Sequence, residues 1–413
     1  MISVENIIKA SYRLNGIVQI TPLQHNPNLS ERHQCNVFLK REDLQPVRSY
    51  KIRGAYNRML NLTPEQAQQG VVCASAGNHA QGVAYACQQL GIQAEIYMPT
   101  TTPSQKIRQV ERIGKNFVHV VLAGDTYDAA YSAAQSYCDA QKKVFIHPFD
   151  DSDVIEGQGT VAVDILNTFK GDIDYLFVPI GGGGLSAGVG TYFQRLSPKT
   201  QIIGVEPMGA PAMKQSLEKN ERIMLEAMDN FVDGAAVRRV GEINFDICKN
   251  VLHDIVLVPE GRICTIILQL YNEDALVVEP AGALSIAALD FYADKIKGKN
   301  VVCVVSGGNN DIERMPEIKE RSMIYEGLKH YFIINFPQRP NALLDFLSNI
   351  LCNGEDIAVF QYTKKNNRSI GPALIGIEIQ QRSDYESLLQ RLDEHKIDYK
   401  IVNNDQKLFE YLI

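Results

Sequence analysis

Apolar segments alternate with segments of small, helix-compatible residues up to about residue 320. Three of the apolar segments, at 71–74, 175–180 and 301–305, are short, rich in β-branched or aromatic residues, and followed by glycine or polar residues. This pattern predicts buried strands that end in turns. Because strands that alternate with helices are typical of α/β domains, we predict an α/β fold with mostly parallel sheets.

The pattern changes after the charged stretch at 317–321. The elements predicted beyond it, in chain order, are a strand at 331–336, a helix at 341–351, strands at 357–362 and 373–379 joined by a polar hairpin at 364–368, a helix at 383–395 and a strand at 399–402. The order βαββαβ is that of a ferredoxin-like domain. We therefore predict a second, smaller domain in this part of the chain.

The composition agrees with a protein of several packed domains. The chain has 413 residues, 45% of them hydrophobic and 22% charged, and this length predicts two or three domains. The net charge of −7 gives no basic field for nucleic acid or an anionic membrane. Since no apolar run approaches a membrane span and the start lacks signal-peptide features, we expect a cytoplasmic protein. The eight cysteines form no Cys-x-x-Cys pair, which favours buried thiols.

One lysine, Lys51, lies in a short segment between Arg48 and Arg53. Nearby cations disfavour the ammonium form, so we expect the pKa of Lys51 to fall and more of its amine to be neutral. A neutral lysine amine can attack an aldehyde to form a Schiff base. Most lysines are exposed and simply charged, so the interpretation of this segment depends on the motifs that follow.

A polar loop follows the strand predicted at 71–74 and precedes a stretch of small residues. Its residues are Ser75, Ala76, Gly77, Asn78 and His79. Ser75 and Asn78 can cap the helix predicted after them, and the free amides at its start favour an anion such as a carboxylate. An ordinary capped turn has similar residues, and a lone histidine there is more often a packed residue than a base.

A glycine loop follows the strand predicted at 175–180. Its residues are Gly181, Gly182, Gly183, Gly184 and Leu185. Bare glycine amides can surround a phosphate, and the helix predicted after them adds its positive end. The alternative is a dinucleotide-binding fold, because Gly182, Gly184 and Ala187 fit its glycine spacing and Glu206 could bind a ribose. That alternative leaves the lysine segment and the polar loop without a role.

Ser306 follows the strand predicted at 301–305 and begins a further polar glycine turn. In doubly wound sheets, ligands collect beyond the carboxyl ends of the strands, where these motifs lie. Together, and in this order, the motifs resemble those of the fold type II pyridoxal phosphate enzymes, and within them the threonine dehydratase (threonine ammonia-lyase) family. The resemblance spans roughly the first 320 residues.

The resemblance implies a role for each motif. Lys51 would be the catalytic residue and would carry pyridoxal 5′-phosphate covalently, Asn78 would bind the ring hydroxyl of the cofactor, and Ser306 would face its pyridine nitrogen. The cofactor phosphate would be held by Gly181, Gly182, Gly183, Gly184 and Leu185. The substrate carboxylate would be bound by Ser75, Ala76, Gly77, Asn78 and His79.

The resemblance also implies a reaction and a division into domains. The reaction would be β-elimination and deamination of L-threonine to 2-oxobutanoate and ammonia, with L-serine as the alternative substrate. Residues 1–320 would form the catalytic region. Within it, a small domain at about 51–147 would be inserted into a large domain formed by 1–50 and 148–320, with the cofactor in the cleft between these two open α/β domains.

The segment 336–343 looks like the strand-to-helix turn of ACT-like regulatory domains. A catalytic region followed by one such domain, at 326–413, resembles the biosynthetic, isoleucine-regulated members of the family, which catalyse the first step of isoleucine biosynthesis. We therefore expect isoleucine as an allosteric ligand and a homo-oligomer, a dimer or a tetramer. The alternative is a tail that serves assembly alone, because ferredoxin-like folds have many roles.

Some relatives that act on serine bind a divalent cation. They use a glutamate, a main-chain carbonyl four residues later and an aspartate two residues beyond that. The corresponding positions here are Glu206, Ala210 and Ala212. Because Ala212 replaces one anionic oxygen ligand, we expect no metal at this position.

Overall fold

The computed structural model describes residues 2–352, 354–363, 369–403 and 405. The chain divides into two compact units, one made of Met1–Glu260 and Gln269–Asp311 and the other of Gly261–Leu268 and Ile312–Ile413. The hairpin predicted at 364–368 lies outside the described residues. Within the described residues, no helix combines the length and the apolar composition needed to cross a lipid bilayer.

The first unit contains most of the helices and strands. Its strands are β1 (Leu23–His25), β2 (Asn36–Arg41), β3 (Val71–Ala74), β4 (Ala94–Met98), β5 (Val118–Leu122), β6 (Val144–Phe145), β7 (Tyr175–Pro179), β8 (Gln201–Pro207), β9 (Asp254–Val258) and β10 (Asn300–Val305). Its helices are α1 (Val4–Arg13), α2 (Pro27–His33), α3 (Lys51–Leu60), α4 (Pro64–Gln69), α5 (Asn78–Leu90), α6 (Ser104–Gly114), α7 (Tyr127–Gln141), α8 (Ser152–Thr168), α9 (Gly184–Leu196), α10 (Ala212–Lys219), α11 (Glu242–Val251), part of α12 (Glu260–Asp274), α13 (Pro280–Ala287) and α14 (Ala293–Ile296). Short 3₁₀ turns lie at Glu42–Leu44, Lys115–Phe117 and Ala288–Tyr292.

These strands form two sheets. The six-stranded sheet has the order β1-β2-β10-β7-β8-β9, and all its neighbouring pairs are parallel except β1 with β2. The four-stranded sheet has the order β5-β4-β3-β6, with parallel pairs throughout. The predicted α/β class with mostly parallel sheets is confirmed.

Strand β10 shows why the apolar segments form the interior of a sheet. Its residues 301–305 are fully buried, as expected for a parallel strand that is covered on both faces. Val302 and Val304 pack in one core with Leu176 and Val178 of β7. Burial on both faces therefore produces the unbroken apolar runs that the sequence shows.

The carboxyl ends of three parallel strands lead into the motifs of interest. Ser75 follows β3, the glycine loop begins two residues after β7, and Ser306 follows β10. Helix α5 begins at Asn78 and helix α9 at Gly184. The backbone amides in the first turns of α5 and α9 thus lie at the ligand-binding edges of the two sheets.

The second unit contains the predicted ferredoxin-like domain. Its elements are part of α12, a 3₁₀ turn at Ile312–Arg314, α15 (Met315–Tyr325), β11 (Lys329–Pro337), α16 (Ala342–Ile350), β12 (Asp356–Tyr362), β13 (Ile370–Glu378), α17 (Asp384–Glu394) and β14 (Tyr399–Ile401). The strand order is β12-β13-β11-β14, and the neighbouring pairs are antiparallel. The βαββαβ prediction is confirmed. Cys352 in this unit is exposed, whereas the other seven cysteines are buried and not in disulfides, as predicted.

Candidate active site

A cavity of about 1270 Å³ lies within the first unit, and its walls include residues that follow β3, β7 and β10. Among the predicted site residues, those that line it are Lys51, Ser75, Ala76, Gly77, Asn78, His79, Gly182 and Ser306. The structure also describes Gly181, Gly183, Gly184 and Leu185, which are not among the lining residues. Segments far apart in sequence therefore meet at one site. The glycine loop contributes Gly182 to the wall of this site.

Lys51 has an amine that loses its proton more easily than an ordinary lysine. It is the first residue of α3, and its Nζ donates a hydrogen bond to the carbonyl oxygen of Pro148 at 2.9 Å. Burial lowers the pKa of Lys51 to about 8, and the negative charge of Glu279 opposes that shift. The predicted direction is correct, but the predicted cause is wrong, because burial lowers the pKa and neither Arg48 nor Arg53 is among the causes; Arg53 is ion-paired with Glu42 at 2.8 Å.

The polar loop is arranged differently from the predicted capped turn. The N-cap of α5 is Gly77, and no side chain caps the helix. Ser75 Oγ accepts a hydrogen bond from the backbone N–H of Gly77 at 3.2 Å. The capping role predicted for Ser75 and Asn78 is therefore wrong, and the first amides of α5 are left for a ligand anion.

His79 is held in its neutral form. It is 3% exposed, and its Nε2 donates to the carbonyl oxygen of Ile146 at 2.8 Å. Burial, helped by the positive charge of Lys51, lowers its pKa to about 3. Burial likewise lowers the pKa of the nearby His147 to about 4. Neither imidazole therefore supplies positive charge to the cavity near neutral pH.

Glu279 is a cavity residue that the sequence interpretation missed. It is 6% exposed, and its Oε1 accepts a hydrogen bond from Asn78 Nδ2 at 2.6 Å. The other side of the Asn78 amide, Oδ1, accepts from Asn309 Nδ2 at 2.7 Å. The only signal in the sequence was one acid within an otherwise apolar run at 276–281. These two hydrogen bonds set the orientation of the Asn78 amide.

The glycine loop is packed so closely that side chains would not fit. A Cβ at Gly182 would lie 2.2 Å from the ring of Phe149, and a Cβ at Gly184 would lie 2.6 Å from Gln158 Oε1. Gly183 has a φ of +92°, which favours glycine. The bare backbone of this loop leads directly into α9, whose first amides favour an anion.

Ser306 brings a neutral hydroxyl to the cavity. It is 3% exposed, and its Oγ donates to the carbonyl oxygen of Ala281 at 3.1 Å. The carbonyl oxygen of Ser306 accepts from the backbone N–H of Tyr50 at 3.1 Å. This contact joins the end of β10 to the residue before Lys51.

Glu206 caps a helix in the structure. Its two carboxylate oxygens accept from the backbone N–H groups of Met213 at 2.7 Å and Lys214 at 2.8 Å. Burial raises its pKa to about 8. Among the described residues, no group of three or more His, Cys, Asp or Glu side chains is arranged to hold a metal ion.

Comparison with known proteins agrees with this geometry. The family described as "Pyridoxal-phosphate dependent enzyme" matches residues 14–307, and the "C-terminal regulatory domain of Threonine dehydratase" matches residues 320–412. The biosynthetic L-threonine dehydratase of Halalkalibacterium halodurans is 58% identical over 412 residues, which cover 100% of this chain and 99% of the relative. The chain belongs to the biosynthetic threonine dehydratase family.

Two further comparisons support membership of this family. The biosynthetic L-threonine dehydratase of Bacillus subtilis is 56% identical over 413 residues, which cover 100% of this chain and 98% of the relative. The solved structure of the processed form of threonine deaminase isoform 2 from Solanum lycopersicum is 42% identical with a TM-score of 0.73, and the match covers 77% of this chain and 93% of that one. Because the threonine dehydratases of this family depend on pyridoxal phosphate, the dinucleotide interpretation of the glycine loop is wrong.

The residues present fit pyridoxal phosphate. The aldehyde requires a lysine amine, which Lys51 provides within the cavity. The phosphate requires backbone amides that no side chain covers, which the glycine loop, with Gly182 on the cavity wall, and the first turn of α9 provide. The ring nitrogen can be met by the hydroxyl of Ser306.

Proposed function

We propose that this chain converts L-threonine into 2-oxobutanoate and ammonia with pyridoxal 5′-phosphate as cofactor. The observation that carries the proposal is the meeting, in one cavity, of the Lys51 amine with its lowered pKa and the glycine loop at the start of α9. The names of the relatives, identical over more than half of their positions, support threonine as the substrate.

Each predicted site residue keeps its proposed role. Lys51 would hold the cofactor, Asn78 its ring hydroxyl and Ser306 its pyridine nitrogen. The cofactor phosphate would be held by Gly181, Gly182, Gly183, Gly184 and Leu185. The substrate carboxylate would be held by the amides and side chains of Ser75, Ala76, Gly77, Asn78 and His79. When bound, the cofactor supplies an electron sink for the pair left at the α-carbon of the substrate.

The chain's own groups would then orient the substrate and move its α-proton. The first amides of α5 would bind the carboxylate and hold the substrate in the cavity that Lys51 also lines. Since burial lowers the pKa of Lys51 to about 8, roughly a tenth of its amine is neutral at pH 7. Lys51 would accept the α-proton as general base. His79 is a poor base for this step because burial lowers its pKa to about 3.

A lysine-specific adduct tests the cofactor proposal. Purified full-length protein should absorb in the visible range, lose that band on treatment with borohydride, and then yield a digested peptide with a pyridoxyl group on Lys51. Lys51→Ala should lack both the band and the adduct. Lys106→Ala is the matched control, because Lys106 also lines the cavity. A pyridoxyl group on another lysine, or a colourless protein, contradicts the proposal.

We also propose that isoleucine binds the regulatory domain and inhibits the enzyme. The match of residues 320–412 to the regulatory domain of threonine dehydratase supports regulation, and isoleucine is the effector that the resemblance to the isoleucine-regulated members of the family implies. Linkage requires that isoleucine weakens threonine binding by the same factor as threonine weakens isoleucine binding. Calorimetric titration of isoleucine into the full chain, with and without a slowly reacting threonine analogue, measures that factor. Equal isoleucine affinity in both titrations contradicts the coupling.

The remaining proposals concern organisation. We propose a cytoplasmic homo-oligomer, a dimer or a tetramer, which sedimentation velocity of the full chain tests. We also propose a small domain of about 51–147 within a larger one formed by 1–50 and 148–320. Support comes from the four-stranded sheet, whose strands β3 to β6 all lie within 71–145. Hydrogen exchange, measured separately for the strands of the four-stranded sheet and those of the six-stranded sheet, tests this division.

A further inference from the structure

Three buried charged side chains and one partly buried aspartate lie together beside the first turn of α3. Lys40 of β2, Glu42 directly after it, Arg53 of α3 and Asp164 of α8 form this charge quartet. Lys40 and Glu42 are 0% exposed and Arg53 is 1% exposed. The structure describes all four residues, and none of them lines the cavity. Two cations and one anion are therefore kept away from water, with a second, partly exposed anion beside them, at a place that the proposed chemistry does not use directly.

Arg53 is the centre of the quartet. Its Nε and Nη2 donate to the two carboxylate oxygens of Glu42, each at 2.8 Å. Nη2 also donates to Asp164 Oδ2 at 2.5 Å, and Nη1 donates to Thr160 Oγ1 at 3.1 Å. Lys40 Nζ lies 3.3 Å from Asp164 Oδ2. A planar guanidinium held at two edges defines an orientation as well as a position, which a lysine ammonium cannot do.

The backbone of the same turn is in close contact with two other helices. A Cβ at Gly157 of α8 would lie 2.4 Å from the carbonyl oxygen of Arg53. A Cβ at Gly82 of α5 would lie 3.1 Å from the carbonyl oxygen of Lys51. Helix α3 therefore begins in a tight space where a small rotation about its axis would produce a clash or a gap.

Stability alone is a weak explanation for such a quartet. Removing charges from water costs free energy, and well-packed apolar residues of the same volume are often as stabilising as a buried ion pair. What hydrogen-bonded charges add is a defined geometry. In an α-helix, side chains two positions apart point about 200° apart around the axis. A restraint on Arg53 therefore also sets the direction of Lys51 on the other side of the helix.

We propose that Arg53 is a positioning residue for Lys51. Its guanidinium, bound by Glu42 and Asp164, sets the rotation of α3 and thereby holds the Lys51 amine in its place in the cavity, where it is bonded to the carbonyl oxygen of Pro148. The inference rests on the proposed role of Lys51, but its test does not require bound cofactor.

The test measures the titration of Lys51 in the full-length chain after removal of the cofactor. Formaldehyde with cyanoborohydride methylates neutral amines, so peptide mass spectrometry over a pH series gives the midpoint for Lys51 alone. Arg53→Lys keeps the charge and loses the two-edged contact. We expect its Lys51 midpoint to rise by about one pH unit or more, toward the ordinary value for a hydrated lysine.

Arg58→Lys is the matched control. Arg58 lies on the same helix and is paired with a carboxylate, with its Nε 3.0 Å from Asp151 Oδ2. The pH midpoint for methylation of Lys51 in Arg58→Lys should equal that in the unmodified chain. If Arg53→Lys lowers the melting temperature while the Lys51 midpoint stays in place, Arg53 is only structural and the proposal is overturned.

Asp164→Asn provides a milder second variant should Arg53→Lys fail to fold. Asp164 is at the edge of the quartet, with a side chain that is 12% exposed. Its substitution should shift the Lys51 midpoint in the same direction by a smaller amount, and an unshifted midpoint again overturns the proposal. A normal pyridoxyl adduct on Lys51 in the unmodified chain separates failure of this inference from failure of the proposed function.

Discussion

Asn78 and Glu279 are joined by a hydrogen bond of 2.6 Å although they lie 201 positions apart in the chain. The bond connects the start of α5, which follows a strand of the four-stranded sheet, with the residue before α13. Burial is the main reason why the pKa of Glu279 rises to about 7, and the negative charge of Asp233 raises it further. The same carboxylate raises the pKa of Lys51 against the effect of burial. The charge of Glu279 is therefore coupled to the proton on Lys51.

Replacing Glu279 with glutamine should make Lys51 easier to deprotonate. The substitution keeps the size and an acceptor for Asn78 but removes the negative charge that opposes the lowering of the Lys51 pKa. We expect the Lys51 midpoint in reductive methylation of the cofactor-free chain to fall below 8. Glu226→Gln is the control, because Glu226 also lines the cavity but is not among the causes of the Lys51 shift. A midpoint that is unchanged or higher in Glu279→Gln would contradict the coupling.

His79 should make the protein more sensitive to acid. Burial is the largest cause that lowers its pKa from 6.5 to about 3 in the folded chain. Between pH 6.5 and pH 3 the unfolded chain therefore binds a proton that the folded chain does not, so stability falls as the pH drops through that window and is unaffected above it. From pH 6.5 to pH 5 the loss is about 2 kcal/mol.

His79→Gln should remove this acid sensitivity. Its melting temperature should fall less between pH 7 and pH 5 than that of the unmodified chain. His119→Gln, at an exposed position, should keep the original slope. If the melting temperatures of His79→Gln and the unmodified chain fall equally between pH 7 and pH 5, protonation of the His79 imidazole does not destabilise the folded chain.

The parts of the fold that depend on local pattern were predictable. Strand β10 is an unbroken apolar run because both of its faces are covered, and the glycine loop is glycine because neighbouring groups leave no space for a Cβ at Gly182. Strand β13 shows the limit of such signals. It begins at Ile370, and its Pro372 pairs with Asn335, although glycine and proline suggest a turn at 371–372. Long antiparallel pairing with β11 determines that boundary.

The parts of the site that depend on distant packing were not predictable. In the sequence, Glu279 resembles any acid before a Pro–Ala–Gly segment, and only the packed fold brings it to Asn78. The cause of the Lys51 pKa was missed for the same reason. Arg53 is two residues from Lys51 in sequence, but its charge is neutralised by Glu42 and Asp164. Sequence proximity therefore overstated the influence of that arginine.

Gly182→Ala should weaken cofactor binding. Its new Cβ would lie 2.2 Å from Cγ of Phe149, so the ring or the loop must move. Overpacking of this kind costs about 1–3 kcal/mol, and a displaced loop would misplace its amides around the phosphate. Titration of cofactor-free protein with pyridoxal phosphate, followed by the visible band, should show a dissociation constant raised at least about tenfold, which is 1.4 kcal/mol.

Phe149→Ala in the same chain tests the steric cause. It removes the ring that the new Cβ meets, so the double variant should bind the cofactor more tightly than Gly182→Ala alone. Strongly non-additive effects are expected for residues in contact. Additive effects of the two substitutions would rule out the clash as the reason for weaker binding.

Gly376→Ala should loosen the regulatory domain. Gly376 lies on β13, where a Cβ would lie 2.8 Å from Tyr331 Cε1 and 3.1 Å from Val359 Cβ. Both neighbours belong to paired strands, so the expected loss is about 1–3 kcal/mol of local stability. Hydrogen exchange of the β11, β12 and β13 peptides in the full chain should quicken accordingly. Gly371→Ala on the same strand is the control, because its nearest neighbour is the movable amide end of Gln338. Faster exchange in Gly371→Ala than in Gly376→Ala would show that the packing around Tyr331 is not what limits opening of this sheet.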